Sequence, residues 1–189
     1  MEGLRAYLNR AVTAGAVTVA LLSGQPAWAG DAAAIDRLHA ELADPDNTAW
    51  QRTERELQRE WSKSGSAAMD LLLQRGRRAL REGDPQAAIE HLTALTDHAP
   101  EFAEGWNARA TALFQADYYG PALDDIARAL ELNPRHFAAL TGLGTILFET
   151  GQREAALKAY RAALELHPHQ PRIQEAVRRL ERETGGAGL

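Results

Sequence analysis

An all-α fold of stacked helical hairpins follows from three features of the sequence. First, Pro100, Pro134 and Pro168 recur at intervals of 34 residues, and Ala88/Ala122/Ala156 and Leu92/Ile126/Tyr160 keep step with them. A fixed period of this size marks repeated supersecondary units, none of which can bury its apolar face alone. Second, segments such as Arg153–Leu166 (REAALKAYRAALEL) are built from Ala, Leu, Glu, Lys and Arg, the strong helix formers. Third, no stretch sustains the two-residue alternation of a half-buried strand.

In chain order, the first element reads as an export signal. Met1–Arg10 carries Arg5 and Arg10, and Ala11–Leu22 is uncharged and largely apolar. Gln25-Pro26 then interrupts the run, and Ala27-Trp28-Ala29 offers the small residues of a cleavage site. Residues 1–29 are therefore expected to be a signal peptide, and the mature chain to reside in the periplasm. Were the segment retained it would tether the chain to a membrane, although Ser23–Pro26 leave its apolar part too short to span one. With the signal removed, no membrane association is expected.

Residues 30–68 read as a helical hairpin. Ile35, Leu38 and Leu42 form one short stripe, Asp44-Pro45-Asp46-Asn47 a turn, and Trp50, Leu57 and Trp61 mark a second helix. The segment does not fit the repeat columns, so it is expected to be a degenerate unit or a cap over the first repeat. Ser66 is placed to cap the helix that follows.

Three repeats occupy 69–170, as Met69–Phe102, Ala103–His136 and Phe137–Gln170. Each is expected to be two antiparallel helices, A and B. Gly76, Ala110 and Gly144 form a column of small residues, expected to face Ala88, Ala122 and Ala156 where the helices approach most closely. Gly83-Asp84-Pro85 and Gly151-Gln152 supply the A-to-B turns, since Gly tolerates positive φ at a helix end. The second repeat departs, with Asp117-Tyr118-Tyr119-Gly120-Pro121, where Pro121 fits only the first turn of the next helix. Each column proline ends helix B because it has no N–H to continue it. Across 171–184, Ile173, Ala176, Val177 and Leu180 form a stripe opposite charged residues, as expected of a helix that solvates the end of the array. Residues 185–189 read as a flexible tail.

These columns resemble the tetratricopeptide repeat (TPR) family, with a large residue at place 4 (Leu72, Trp106, Leu140), small ones at 8 and 20, and proline at 32. The resemblance implies an α-solenoid whose A helices line a concave groove that takes a protein or peptide partner. Transferred by place, the groove residues are Arg77, Leu80 and Arg81 from the first repeat and Asn107, Thr111, Phe114 and Gln115 from the second. The third supplies Thr141, Thr145, Phe148 and Glu149. Asp70, Leu73, Gln74, Glu104, Ala108, Ala138 and Gly142 fall at further groove places. Leu80, Phe114 and Phe148 share one place as an apolar ridge. The two Phe residues are either anchors for a ligand or core beneath a capping helix. The Lys, Asn and Arg residues of the clamp that grips the C-termini of cytosolic heat-shock chaperones in this family are replaced by Leu73, Arg77, Ala108, Ala138 and Gly142, so the clamp is not expected. Exported bacterial members serve envelope assembly, secretion, cytochrome maturation and cell-wall enzyme scaffolding, which implies a range of roles.

The remaining chemistry is mostly exclusion. A formal charge of −5 argues against nucleic acid as partner, and the absence of Cys removes disulfides, thiol nucleophiles and Cys-type zinc sites. There is no nucleophile elbow, phosphate-binding glycine loop or His-Glu-x-x-His helix, so neither catalytic residues nor a cofactor are expected. His98, His136 and the His167-Pro168-His169 pair read as solvated turn histidines rather than metal ligands, and Asp124-Asp125 as a solvated outer face. A second function class is self-association, with Trp50, Trp61, Tyr118 and Tyr119 exposed as a homo-oligomer interface.

Overall fold

A computed structural model describes residues 32–185, and the expectations placed on 1–31 and 186–189 lie outside it. Nine helices and no strands occur among the described residues. They are α1 (Ala32–Ala43), α2 (Trp50–Trp61), α3 (Ala67–Glu82), α4 (Pro85–His98), α5 (Ala103–Gln115), α6 (Tyr119–Leu132), α7 (Phe137–Glu149), α8 (Arg153–Leu166) and α9 (Pro171–Gly185). From α3 to α8 they form three helix-turn-helix units, each packed on the next, with α9 closing the series against α8.

The three A-to-B turns share one hydrogen-bond pattern despite their different sequences. Asp84 N donates to Ala79 O and Gly83 N to Leu80 O. Tyr118 N and Asp117 N do the same to Leu113 O and Phe114 O, and Gln152 N and Gly151 N to Leu147 O and Phe148 O. This is the Schellman closure, which needs one residue at positive φ. Gly83 (φ 77°) and Gly151 (φ 78°) supply it, and in the second repeat Asp117 takes the place at φ 62°. Asp is among the few L residues that visit this region, and here its carboxylate also accepts from the Tyr119 hydroxyl at 2.9 Å. In the first turn Asp84 caps α4 through Ala87 N at 2.9 Å, ahead of Pro85 in the first helical turn. The B helices α4, α6 and α8 end at His98, Leu132 and Leu166, each two residues before its column proline.

The close approach of A and B differs from the expected small-on-small contact. A Cβ on Gly76 would lie 2.6 Å from Leu92 Cδ2, and one on Gly144 would lie 2.5 Å from Tyr160 Cδ1. Each glycine is thus a notch filled by the large residue of helix B, and the Ala88 and Ala156 columns sit buried beside it. Ser66 also departs from expectation: it holds the N-cap position of α3 but its side chain makes no cap bond. Ser64 anchors that turn, donating from N and Oγ to Asp70 Oδ1 at 2.8 and 2.6 Å.

The core runs through the units as two clusters, one centred on Leu73, Leu92, Leu95 and Phe102 and the other on Ile126, Leu140, Leu143, Ile146 and Leu157. Val177 and Leu180 of α9 join the second, with Ile173 and Ala176 half-buried beside them. The α1–α2 hairpin forms a third cluster in which Leu38, Leu42, Leu57 and Trp61 close on Phe137 of the last repeat, with Ala138 and Leu166 at its edge. Its apolar side therefore lies on the third repeat, far along the chain from the first repeat that follows it in sequence. Asp36 pairs with Arg135 at 2.5 Å, and His169 Nε2 bonds Asp44 O at 2.8 Å.

Candidate functional site

Helix α2 faces the A helices across an open cleft of about 540 Å³. Arg77, Asn107 and Ala138 line one side, from α3, α5 and α7, and Arg55, Gln58 and Arg59 of α2 line the other. Arg77, Asn107, Glu104 and Ala138 occupy groove places in three successive repeats, so the cleft coincides with the groove face that the repeat pattern implied.

The cleft floor is a buried ionic network. Glu104, at 6% exposure, accepts from Arg77 Nη2 at 2.5 Å and from His136 Nε2 at 2.8 Å, and Arg77 Nη1 donates to Ser62 Oγ at 2.8 Å. His136 caps α7, with its Nδ1 accepting from Ala139 N at 3.3 Å. That bond fixes the tautomer: the ring proton sits on Nε2 and is donated to Glu104. Burial pushes the Glu104 carboxyl up, but the hydrogen bonds from His136 and Arg77, with the Arg77 charge, outweigh it and hold the group below the usual carboxylate range. The indole of Trp61 stacks on the His136 ring at 4.3 Å between centroids, so α2 roofs the network.

Histidines carry much of the seam between the hairpin and the repeats. His136 and His167 are both 1% exposed, which corrects the expectation of solvated turn histidines. They are buried because the hairpin covers the loops they stand on. Trp50 stacks flat on His169 (5.6 Å, 3°) and packs obliquely on His167 (5.6 Å), whose Nε2 lies 3.6 Å from Glu54. On α1, His39 touches Trp61 (5.5 Å), and neither of its ring nitrogens has a hydrogen-bond partner. Burial pushes its pKa down to about 4, with further lowering from the Arg135 charge.

The sequence-derived groove residues divide into several groups. Arg77 and Asn107 reach the cleft, with Arg77 committed to Glu104 and the Asn107 amide 3.4 Å from the same carboxylate. Thr141 Oγ1 donates to Gln170 at 3.2 Å, and Thr145 Oγ1 accepts from the Tyr160 hydroxyl at 3.2 Å. Leu80 is half-buried against the first cluster. Phe114 is half-buried beside Tyr119 (5.7 Å), and Phe148 is half-buried beneath the Arg153 and Arg179 guanidiniums at 6.0 and 5.6 Å. Arg81, Thr111, Gln115 and Glu149 are exposed. The α2 arginines could not be assigned to the groove from sequence, because the repeat pattern does not report where the hairpin docks.

Two further expectations change. Asp125 is 4% exposed, not solvated: both its oxygens accept from Arg109 at 2.7 Å, and Arg109 Nη1 donates to Thr96 at 2.8 Å. The pair ties α4, α5 and α6 together. The exposed aromatic interface is not assembled either, because Trp61 is 3% exposed, Trp50 and Tyr119 are half-buried, and only Tyr118 of the four is exposed. Among the described residues, no group of three or more His, Asp or Glu is disposed to hold a metal ion, and no helix is long and apolar enough to cross a membrane.

Comparison with known proteins places these features in context. The family model described as Tetratricopeptide repeat matches residues 73–120 and 119–171. A TPR repeat-containing protein of Rhizobium etli is 35% identical over 155 residues, covering 80% of this chain and 75% of that protein. That share exceeds the repeats and α9 together, so the similarity extends into the segment before the first repeat. The Protein SGT1 homolog of Bos taurus is 29% identical over 109 residues, covering 58% of this chain and 32% of that protein. Among solved structures, the first TPR of Spaghetti (RPAP3) bound to an HSP90 peptide is 25% identical with TM-score 0.61, over 64% of this chain and 98% of that one. The Sgt2 TPR domain from Aspergillus fumigatus shares the fold at TM-score 0.61 and 21% identity, over 65% of this chain and 83% of that one.

Proposed function

Because the chain belongs to the tetratricopeptide repeat family, we propose that it is a non-enzymatic scaffold that holds a protein or peptide partner along the groove face of its A helices. The observation that carries the reading is the open cleft of about 540 Å³ at groove places of three successive repeats. A concave, partly polar surface built on packed helices suits recognition of an extended or helical segment. The similar Spaghetti (RPAP3) domain, bound to an HSP90 peptide, supports a peptide as the class of ligand. The charge pattern of residues 1–29 supports export, with the mature scaffold acting in the periplasm.

The test is cross-linking in intact cells followed by recovery of the chain. Wild type is compared with a variant carrying Arg81→Glu, Thr111→Arg and Gln115→Arg, three exposed groove positions outside the buried network. The reading expects a partner recovered by wild type and lost by the variant. Identical partners in both would refute the groove, and a recovered chain whose mass begins at Met1 would refute cleavage after Ala29.

A further inference from the structure

We infer that the cleft between α2 and the A helices is a binding site for an acidic peptide segment, with Arg55 and Arg59 of the hairpin as its charge-reading residues. The inference deepens the scaffold reading and rests on it. It assigns ligand chemistry to a wall that lies outside the repeats.

The argument begins with charge. The chain has 26 acids against 21 Lys and Arg, so arginines find carboxylates readily, and most do. Arg55, like Arg75, Arg81 and Arg172, makes no ion pair among the described residues, and Arg59 has only a long pair, at 3.9 Å, with Glu56, a carboxylate that Arg52 already holds at 2.8 Å. Both are exposed and line the cleft. The acid that lines it, Glu104, is buried and already held by Arg77 and His136, so its charge is neutralised from within. The cleft therefore presents the unpaired charge of Arg55 and the weakly paired charge of Arg59 from one wall, over a floor whose own acid is paired.

A second cleft provides an internal comparison. Beside the hairpin turn, a cavity of about 470 Å³ is lined by Arg37, Glu41, Arg52 and Glu56 among others. There Arg37 lies 3.6 Å from Glu41 and Arg52 2.8 Å from Glu56. Its charges are matched in place and leave no call for an outside partner. The two clefts share α2 and differ in that the first exposes Arg55 without an ion pair and Arg59 with only a long one, whereas Arg37 and Arg52 of the second are both held more closely. Arginine is the residue suited to gripping carboxylates in two parallel bonds, and amide groups beside it, here Gln58 and Asn107, can satisfy the backbone of the same ligand.

The experiment uses the full-length mature chain and a fluorescein-labelled octamer of glutamate, read by anisotropy. A glutamine octamer and an eight-nucleotide oligothymidylate serve as competing chemistries. The glutamate peptide is expected to bind and to weaken steadily as salt is raised. Arg55→Glu/Arg59→Glu should weaken it about tenfold or more, and Arg55→Gln/Arg59→Gln by a smaller factor. Arg37→Gln/Arg52→Gln, at the paired cleft, should leave it unchanged. Helical circular dichroism verifies the fold of each variant, and the salt series on wild type stands even if a variant does not fold. No binding of the glutamate peptide overturns the inference. So does equal binding to wild type and Arg55→Glu/Arg59→Glu, or equal or tighter binding of the glutamine peptide or the oligonucleotide. If the Arg81/Thr111/Gln115 variant loses its cellular partner while the Arg55/Arg59 variants keep it, the scaffold reading survives and this inference fails.

Discussion

Acid should loosen the α1–α2 hairpin's seat on the repeats, and His39 sets the size of the effect. Its ring is 6% exposed, and its two nitrogens have no hydrogen-bond partner. The facing groups are Arg135 and His136 from the loop before α7, Trp61 from α2, and Asp36 on its own helix, itself paired to Arg135. Burial first, and then the Arg135 charge, bring its pKa from 6.5 down to about 4. A base with a depressed folded pKa takes up its proton earlier in the unfolded chain. Stability is therefore complete above pH 6.5, falls as pH drops from 6.5 toward 4, and falls no further from this group below that. The full difference corresponds to about 3 kcal/mol, which solvent screening at the hairpin seam brings to about 2 kcal/mol. Urea unfolding followed by tryptophan emission at pH 7.5 and pH 4.5 measures it, with His39→Leu as the variant of similar bulk that cannot charge. The wild type should lose about 2 kcal/mol more than His39→Leu between the two pH values. Equal losses in the two proteins would refute the assignment. As pH falls through the ordinary carboxylate range a further loss sets in, because the unfolded chain then takes up a proton at Glu104 that the folded chain, where His136 and Arg77 hold the group low against its burial, does not.

Three other perturbations have defined outcomes. Arg109→Met leaves Asp125 buried without its partner and should cost about 3–5 kcal/mol in the same urea assay, whereas replacing both, as Arg109→Met/Asp125→Leu, should recover much of the loss. Gly144→Ala pushes a methyl group into the Tyr160 ring and should cost about 1–3 kcal/mol; adding Tyr160→Leu should relieve part of it, as thermal melts would show. Phe114→Ala and Phe148→Ala remove half-buried rings packed on the second cluster and should each cost about 2 kcal/mol, below the full-burial range of about 3–5 kcal/mol. A negligible loss on chemical unfolding would mean that the rings serve a ligand and not the core.

The repeat architecture was legible because each of its rules is local and repeated three times. Column prolines, A-to-B turns and helix-forming runs constrain the chain within one unit, and a feature weak in one copy is read from the others. Asp117 shows the strength of this: the second turn lacks its glycine, yet the same Schellman bonds form with an aspartate at positive φ. The notch at Gly76 and Gly144 was legible as a small-residue column but not as to its occupant, since column identity alone does not distinguish Ala88 from Leu92 as the side chain that fills it. Asp125 was misread because its partner Arg109 lies on the facing helix, and a charge pair across helices leaves no periodic trace.

Placement of the hairpin was beyond the sequence for the same physical reason. Leu38, Leu42, Leu57 and Trp61 declare an apolar side but not the surface that will cover it. Two surfaces compete for such a face: the open side of the first repeat, adjacent in sequence, and the seam at Phe137 and Leu166, about three units away. The observed choice carries an electrostatic cost, since it buries His39 without partners and leaves His167 Nδ1 unbonded. It gains the stacking of Trp61 on His136 and of Trp50 on His169, and it covers a Glu104 that Arg77 and His136 have already neutralised. Docked there, the hairpin sets its own α2 opposite the A helices, so that the groove face acquires a second wall and two arginines that no repeat encodes. The seam's buried histidines and the cleft's exposed Arg55 and Arg59 are thus two consequences of one docking event. Loss of the hairpin's seat in acid would remove the cleft with it, so affinity for an acidic peptide should fall over the same interval in which His39 destabilises the fold.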